Sequence, residues 1–208
     1  MQPVLVTPRA RTTAAALALV LAISVLSFAP SRSAAVPSER SAESTSSAKR
    51  GCAASGKKFR PTALGIPGLS PRRTVLALGR DSRNVPKAPP LSESGKRQYA
   101  WDAADKIKAG ARHGVAKLNA HTYPDGSAIG NDLIRELYEG DRLVLRGRNG
   151  QQRCYNVIAR VQIPAERRFA RYYRTGGPHR VAIAVCSGVR RGPGDWSHRT
   201  IWFAKLTD

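Results

Sequence analysis

The chain of 208 residues is strongly basic, with 35 Lys and Arg against 14 Asp and Glu and a formal net charge of +21. Its length suits a targeting segment followed by one globular domain, and an apolar content of 41% is enough for a core. Such a charge attracts anions, nucleic acid first and anionic cell-surface polymers next. However, the basic residues are spread from Arg9 to Lys205, and no zinc-finger spacing, RNP-like segment or basic heptad region accompanies them. Nucleic acid is therefore excluded as the main partner.

The first 35 residues have the pattern of an export signal. Arg9 and Arg11 precede an apolar run from Thr12 to Ala29, and the small residues of 33–35 follow. A charged start, an apolar centre and a small-residue end are typical of a secretory signal. The run is also close to the length of a membrane span, so residues 1–35 are predicted to be a signal peptide or an uncleaved membrane anchor; a buried core helix is the less favoured alternative. Either prediction puts the remaining chain outside the cytoplasm.

Residues 36–58 are rich in Ser and lack apolar periodicity. This composition predicts a flexible linker. The folded domain is therefore expected to span residues 59–208.

Within that domain most signals indicate strands. The Asn149-Gly150 pair predicts a hairpin turn, whereas the three prolines between Val85 and Pro90 exclude a central strand there. Runs of β-prone, alternating or continuously apolar residues predict strands at 74–78, 115–119, 143–145, 155–163, 181–185 and 200–204.

Two of these predictions are specific enough to test in detail. From Tyr155 to Ile163 the odd-numbered residues are apolar, which places them on one face of a half-buried strand. The one clear helix is predicted from Asn131 to Tyr138, with an Asn or Asp cap and Gly140 as its stop. Many short strands with one or two short helices predict a mainly β fold, a barrel or a sandwich.

Three cysteines occur, so at least one thiol stays free unless chains pair. Cys186 ends the apolar run 181–185 and precedes a polar, Gly-rich segment, 187–197, which is predicted to be a loop. A buried cysteine is usually a small core residue. A strand end that opens into a loop is, however, a place where a nucleophile is both rigidly held and accessible, so Cys186 is the candidate nucleophile.

Two further residues could complete a site of acyl transfer. His121 follows the strand 115–119 and precedes a turn-rich segment, and its side chain suits proton exchange with a thiol. Arg199 begins the last strand, where a guanidinium could stabilise a carbonyl oxygen that gains negative charge. The alternative explanations are that His121 is an ordinary surface histidine and that Arg199 is one of many arginines without a special role. His198 is the other candidate for the base.

Taken together, these residues resemble a known family. Residues 118–131 look like the histidine segment of the sortases, most like class F; residues 181–188 resemble the cysteine strand, and 199–204 resemble the arginine strand. The chain departs from the usual pattern at Ala120, where Gly is frequent, and at Val185, where Thr is frequent and helps to shape the substrate site.

The resemblance implies an eight-stranded β-barrel with catalytic His121, Cys186 and Arg199, and neither cofactor nor metal. It also implies cleavage of a Leu-Pro-x-Thr-Gly-like sorting signal through a thioacyl-enzyme. The acyl group then passes to an amine, usually of a cell-wall precursor, or to water, and the enzyme is expected to act as a monomer.

Three alternatives compete with this interpretation. L,D-transpeptidases also use Cys, His and Arg, but they typically place Arg two residues after Cys, where this chain has Gly188. Papain-like peptidases place Cys before His, the reverse of the order here. A non-catalytic basic surface protein that binds anionic wall polymers would explain the charge but not the three residues.

The remaining cysteines, Cys52 and Cys154, leave two possibilities open. In an exported chain they could form a disulfide that ties the linker to the barrel. Cys154 begins a strand, where its side chain could point outward. The opposite arrangement, a packed Cys154 and an unpaired Cys52, is slightly favoured.

Overall fold

The computed structural model describes Cys52 and residues 56–207. The predicted N-terminal segment 1–35 lies outside the described residues, as does most of the predicted linker. Among the described residues no helix has the length and apolar character needed to cross a membrane. The elements in chain order are β1 Ala63–Ile66, β2 Ser70–Leu78, a 3₁₀ turn Gly95–Arg97, β3 Tyr99–Asp102, β4 Val115–Ala120, α1 Ile129–Glu136, β5 Arg142–Arg146, β6 Gln152–Pro164, β7 Arg180–Gly192 and β8 Asp195–Leu206.

The eight strands close into one barrel in the order β1-β2-β3-β4-β7-β8-β6-β5, and β5 pairs back to β1. The pairs β2–β3 and β4–β7 are parallel, and the other neighbours are antiparallel. The predicted mainly β, eight-stranded barrel with a short helix is thus confirmed.

Side chains alternate between the interior and the outer face of the barrel, as the two-residue period of a strand requires. On β7, Val181, Ile183 and Val185 belong to the main core inside the barrel, whereas Ala182 and Ala184 pack into a second cluster. This second cluster covers part of the outer face of β4, β7 and β8. Strand β7 is therefore buried on both faces, as its continuous apolar sequence predicts.

The predicted single apolar face of β6 is wrong beyond its middle. Tyr155 and Val157 face the main core, but Ala159, Val161 and Ile163 pack against the outer cluster. The register with β8 shifts between Val157 and Ala159. Such a bulge inserts one residue and sends all later side chains to the opposite face.

Helix α1 begins two residues before the predicted start and ends at Glu136. Its N-cap is Ala128, without a side-chain capping bond, so Asn131 is not the cap. The side chain of Asn131 instead binds the backbone of Tyr123, accepting from its N–H at 3.0 Å and donating to its oxygen at 2.9 Å.

Strands β1 and β3 are absent from the sequence-based prediction. Each has four residues, fewer than periodicity can identify. The predicted hairpin is confirmed, since Asn149 and Gly150 have φ of 55° and 73° between β5 and β6.

Cys52 and Cys154 form a disulfide, so the slightly favoured unpaired arrangement is wrong. Because the adjacent Tyr155 faces the main core, Cys154 lies on the outer face of β6, and it is fully buried there. The bond spans 102 residues of sequence. In the chain-entropy treatment, closing a loop of this length stabilises the fold by up to about 4–5 kcal/mol.

A buried charge cluster lies on the outer face of β4. Lys117 is 1% exposed and forms ion pairs with Asp105 and, at 3.6 Å, with Asp102. Arg80 reaches the same carboxylates at 2.5 and 2.6 Å. Burial raises the pKa of Asp105, but the hydrogen bond and positive charge of Lys117 outweigh it and leave that pKa below its usual range. Two cations and two carboxylates thus neutralise one another.

Candidate active site

Strands β4, β7 and β8 bring the three predicted site residues side by side. Cys186 pairs directly with Arg199 across the antiparallel β7–β8 ladder. The parallel β4–β7 ladder ends with Ala120 opposite Val185, so the next step of the register brings His121 level with Cys186. The three residues, which span 78 positions in sequence, therefore lie side by side, with Cys186 on β7, Arg199 on β8 and His121 directly after the end of β4.

All three residues lie on the outer face of the barrel. Ala120 and Val185 belong to the interior core, and Thr200 is 1% exposed with its hydroxyl bonded to Ser187. The residues that alternate with these, His121, Cys186 and Arg199, therefore point outward, and each is half-buried. Because Val185 fills the core, its departure from the usual Thr changes the interior and not the outer face.

Cys186 is the one free cysteine of the described residues. Contrary to the prediction, Cys186 does not end a strand, because β7 continues to Gly192 and forms a hairpin with β8. Directly after it the register shifts between Ser187 and Arg190, and Gly188 has φ +78°. A bulge, and not a loop, thus interrupts the strand beside the thiol.

Burial raises the pKa of the Cys186 thiol above its ordinary value, and the positive charge of Arg199 opposes part of this shift. At neutral pH the thiol is accordingly protonated in the resting site. Since the thiolate is the reactive form of cysteine, attack requires a base that removes this proton.

The imidazole of His121 is held on two sides. Its Nε2 lies 2.6 Å from the backbone oxygen of Pro89, and its ring packs edge-on against Tyr123 with centroids 5.7 Å apart. The backbone oxygen of His121 accepts from the N–H of Gly130 at 2.8 Å. A Cβ on Gly130 would stand 2.3 Å from that oxygen, so only glycine fits this contact.

Arg199 keeps its positive charge available. Its guanidinium donates to the backbone oxygens of His198 at 2.9 Å and Trp196 at 3.3 Å. Within residues 56–207 no carboxylate forms an ion pair with it. A fixed, unneutralised guanidinium beside a thiol is suited to bind the oxygen of a carbonyl under attack.

The sequence analysis assigned no role to Thr122, which connects the end of β4 to β7 by a hydrogen bond. Its hydroxyl donates to the backbone oxygen of Cys186 at 2.6 Å, which continues the β4–β7 ladder past its last backbone pair. No local pattern could show this, because the two residues lie 64 positions apart.

No protein-family model and no curated protein sequence matches this chain. The barrel is nevertheless similar to solved structures. Pilus-related sortase C of Group B Streptococcus aligns with a TM-score of 0.54 and 13% identity over 72% of this chain and 68% of that one. Sortase C-1 from Actinomyces oris gives 0.52 and 18% identity over 70% and 71% of the two chains.

This chain has the sortase fold. Sortase A from Corynebacterium diphtheriae adds a third match, with a TM-score of 0.52 and 13% identity over 73% of this chain. The alignment spans 62% of that protein, less than two thirds of its length. At these identities the similarity establishes the fold and leaves the activity to be argued from the site.

On this sortase fold the rival base is separated from the thiol. His198 neighbours Arg199 on β8, so its side chain starts on the opposite face of the strand. Its Nδ1 contacts the Ser197 hydroxyl at 2.7 Å. Of the two candidate histidines, only His121 shares a face with Cys186 and Arg199.

The site offers the groups of acyl transfer in one row. His121 can exchange a proton, Cys186 can attack a carbonyl carbon, and Arg199 can bind the resulting oxyanion. Within the described part of the chain no group of three His, Cys, Asp or Glu side chains is placed to hold a metal ion.

Proposed function

We propose that this protein is a cysteine transpeptidase of the sortase type, most similar to class F, with His121, Cys186 and Arg199 as its catalytic residues. One observation carries the proposal: the free thiol of Cys186 pairs across strands with Arg199, whose charge no described carboxylate neutralises. A core cysteine needs no such neighbour.

The proposed substrate is a Leu-Pro-x-Thr-Gly-like sorting signal of surface proteins. The Cys186 Sγ attacks the carbonyl carbon of the Thr–Gly bond, and the thiol proton passes to His121. Arg199 binds the oxyanion, the C–N bond breaks, and the leaving amine takes the proton from His121. The acyl group is then held on Cys186 as a thioester.

In the second half of the reaction the acceptor amine, such as that of a cell-wall precursor, attacks the carbonyl carbon of the thioester. Its proton passes to His121 and then to the departing sulfur, which restores the thiol and the neutral imidazole. Water in place of the amine would give a carboxylic acid by the same steps.

We propose that the enzyme works outside the cytoplasm as a monomer, either anchored to the membrane by residues 1–35 or secreted. The Cys52–Cys154 disulfide supports the location outside the cytoplasm, because structural disulfides persist in oxidising compartments. The Arg-flanked apolar run of the N-terminal sequence is the second support.

The test is incubation of the full chain with a library of sorting-signal peptides, with and without amine acceptors, read by mass spectrometry. We expect cleavage at one bond and, with an amine, a ligated product, and neither with Cys186→Ala. Equal turnover by wild type and Cys186→Ala would contradict the proposal.

A second candidate function, binding of an anionic wall polymer, has one observation in its favour. A groove of about 610 Å³ by the β5–β6 hairpin is lined by Arg72, Arg146 and Arg148 and, among the described residues, by no carboxylate. If this were the main function, glycerol-phosphate polymer would bind wild type and Cys186→Ala equally. Replacing the three arginines with Gln would abolish binding while peptide turnover stayed absent throughout.

A further inference from the structure

Residues 79–90 form the first part of the connection between β2 and the 3₁₀ turn, and we call them the strap. The strap lies along the outer face of β4. Its first part is a small hairpin. Lys87 N–H donates to the backbone oxygen of Gly79 at 3.0 Å, and Arg80 and Pro86 pair as an isolated antiparallel β-bridge. The Arg80 side chain holds this hairpin to the buried charge cluster, with Nε donating to Asp102 at 3.0 Å.

Two further attachments follow in the same direction along β4. Asn119 Nδ2 donates to the backbone oxygen of Lys87 at 3.1 Å. Two residues on, His121 Nε2 meets the backbone oxygen of Pro89 at 2.6 Å. Positions 117 and 119 lie on the outer face of β4, and position 121, directly after its end, continues the same face. The strap is thus attached at three successive places, and the last of them is the imidazole.

The Pro89 carbonyl is held rigidly. The ring of Pro89 fixes its own φ, and Pro90 confines Pro89 to extended conformations. Pro89 is buried as well. Beyond it, a Cβ on Gly95 would fall 1.8 Å from the Pro90 oxygen, so the chain packs closely on the far side.

A carbonyl oxygen only accepts hydrogen bonds, so a 2.6 Å contact requires a proton on Nε2. In the neutral imidazole the other nitrogen, Nδ1, then has the free lone pair. The strap therefore selects which nitrogen of His121 is able to remove a proton.

We propose that the strap is a positioning element of this site. The Pro89 carbonyl fixes His121 as its Nε2–H tautomer, and Nδ1 is the nitrogen that exchanges the proton with Cys186. Pro89 touches neither substrate nor thiol in this role; it acts through His121. The kinetic part of this inference rests on the proposed transpeptidase function, whereas the tautomer does not.

The test combines NMR of the ¹⁵N-labelled full chain with kinetics on a sorting-signal peptide. In the wild type, at a pH where His121 is neutral, we expect an Nε2–H resonance protected from solvent exchange and an unprotonated Nδ1. Pro89→Gly frees the carbonyl, so this resonance should broaden, and kcat should fall roughly 10–100-fold with KM within about three-fold, because a misplaced catalytic group mainly slows the chemical step.

Asn119→Ala serves as a second variant, because it loosens the strap while Pro89 stays intact. It should weaken the Nε2–H resonance and lower kcat by a smaller factor. Pro178→Gly is the matched control, an exposed proline just before β7, about 25 Å of strand from Cys186. It should leave resonance and kcat unchanged. Thermal unfolding of each variant verifies that it is folded.

The outcomes separate the two proposals. If the wild type shows a protected Nε2–H but does not form an acyl-enzyme with any peptide, the tautomer assigned to His121 is correct and the proposed transpeptidase function is wrong. An active wild type with its proton on Nδ1, or a folded Pro89→Gly with unchanged resonance and kcat, would overturn the positioning role.

Discussion

Two cations on the same outer face of the barrel have opposite surroundings. Lys117 on β4 is 1% exposed and paired with Asp102 and Asp105. Arg199 on β8 is half-buried, and its guanidinium donates to the backbone oxygens of His198 and Trp196. The charge of Lys117 is neutralised within the fold, whereas no described carboxylate neutralises that of Arg199.

This contrast separates cations that stabilise the fold from cations that could act on a ligand in so basic a chain. A buried cation that is neutralised reports on stability, since removing it strands a carboxylate. An immobilised cation without a counter-charge lowers the stability of the folded state. Such a cation is typical of sites where an anion binds or an oxyanion forms. The two residues should therefore respond to mutation in opposite ways.

The largest expected effects are on catalysis. Cys186→Ala should abolish turnover of a sorting-signal peptide, and His121→Ala and Arg199→Ala should each lower kcat/KM by about 100-fold or more, because proton transfer and oxyanion binding each contribute on that order. All three variants should unfold at temperatures close to that of the wild type.

His198→Ala is the control for the base, and it should remain active because its side chain starts on the other face of β8. A dead His198→Ala beside an active His121→Ala would mean that the base is misassigned.

Lys117→Met should show the reverse response. It leaves Asp102 and Asp105 with Arg80 alone, so the free energy of unfolding should fall by about 3–5 kcal/mol, as for other broken buried pairs. Chemical denaturation measures this, and peptide turnover of the folded fraction below the transition should be within a few-fold of wild type. A Lys117→Met variant that is as stable as the wild type but inactive would contradict the purely structural role assigned to Lys117.

The close contact beneath His121 gives a smaller effect on activity. Gly130→Ala would place a Cβ 2.3 Å from the His121 oxygen and 2.7 Å from Thr122 Oγ1, so this backbone must shift. We expect kcat to fall on the order of 10-fold through displacement of the imidazole.

Gly176→Ala is the matched control, because no atom lies within 4 Å of its Cβ and its φ is not positive. Equal kcat for both alanine variants would show that the backbone position of His121 does not matter for turnover.

The smallest effect concerns thiol reactivity. Burial raises the pKa of Cys186 while Arg199 lowers it, so alkylation by iodoacetamide should be slow at neutral pH and accelerate as pH rises above the usual cysteine range. Arg199→Gln removes the lowering charge and should slow alkylation about two- to ten-fold at a given pH. The exposed Arg167→Gln is the control, and a faster rate in Arg199→Gln would reverse the assigned effect of its charge.

The sequence predicted much of this architecture because strand periodicity is local. The mainly β class, the hairpin at Asn149 and the buried β7 all follow from runs of a few residues, whereas the choice of a barrel over a sandwich came from the resemblance to the sortases. The order of His121, Cys186 and Arg199 was also visible, although their assembly as the catalytic set stays a prediction.

Most of what was missed depends on long-range contacts. The bulge in β6 is set by its pairing with β8, and the disulfide joins Cys52 to a residue 102 positions away. Likewise, the Pro89 carbonyl meets His121 across 32 residues. The prolines excluded a central strand, but no pattern could show which side chain they would hold. The continuation of β7 past Cys186 was missed for a different reason, because the polar, Gly-rich residues of the β7–β8 hairpin have the composition of a loop.

Intact mass spectrometry of the protein mixed with a sorting-signal peptide and no amine is the decisive experiment for Cys186 as the nucleophile. We expect a covalent acyl adduct on the wild type, mapped to Cys186, absent from Cys186→Ala and released when an amine is added. An adduct mapped to Cys154, or an equal adduct on Cys186→Ala, would contradict it.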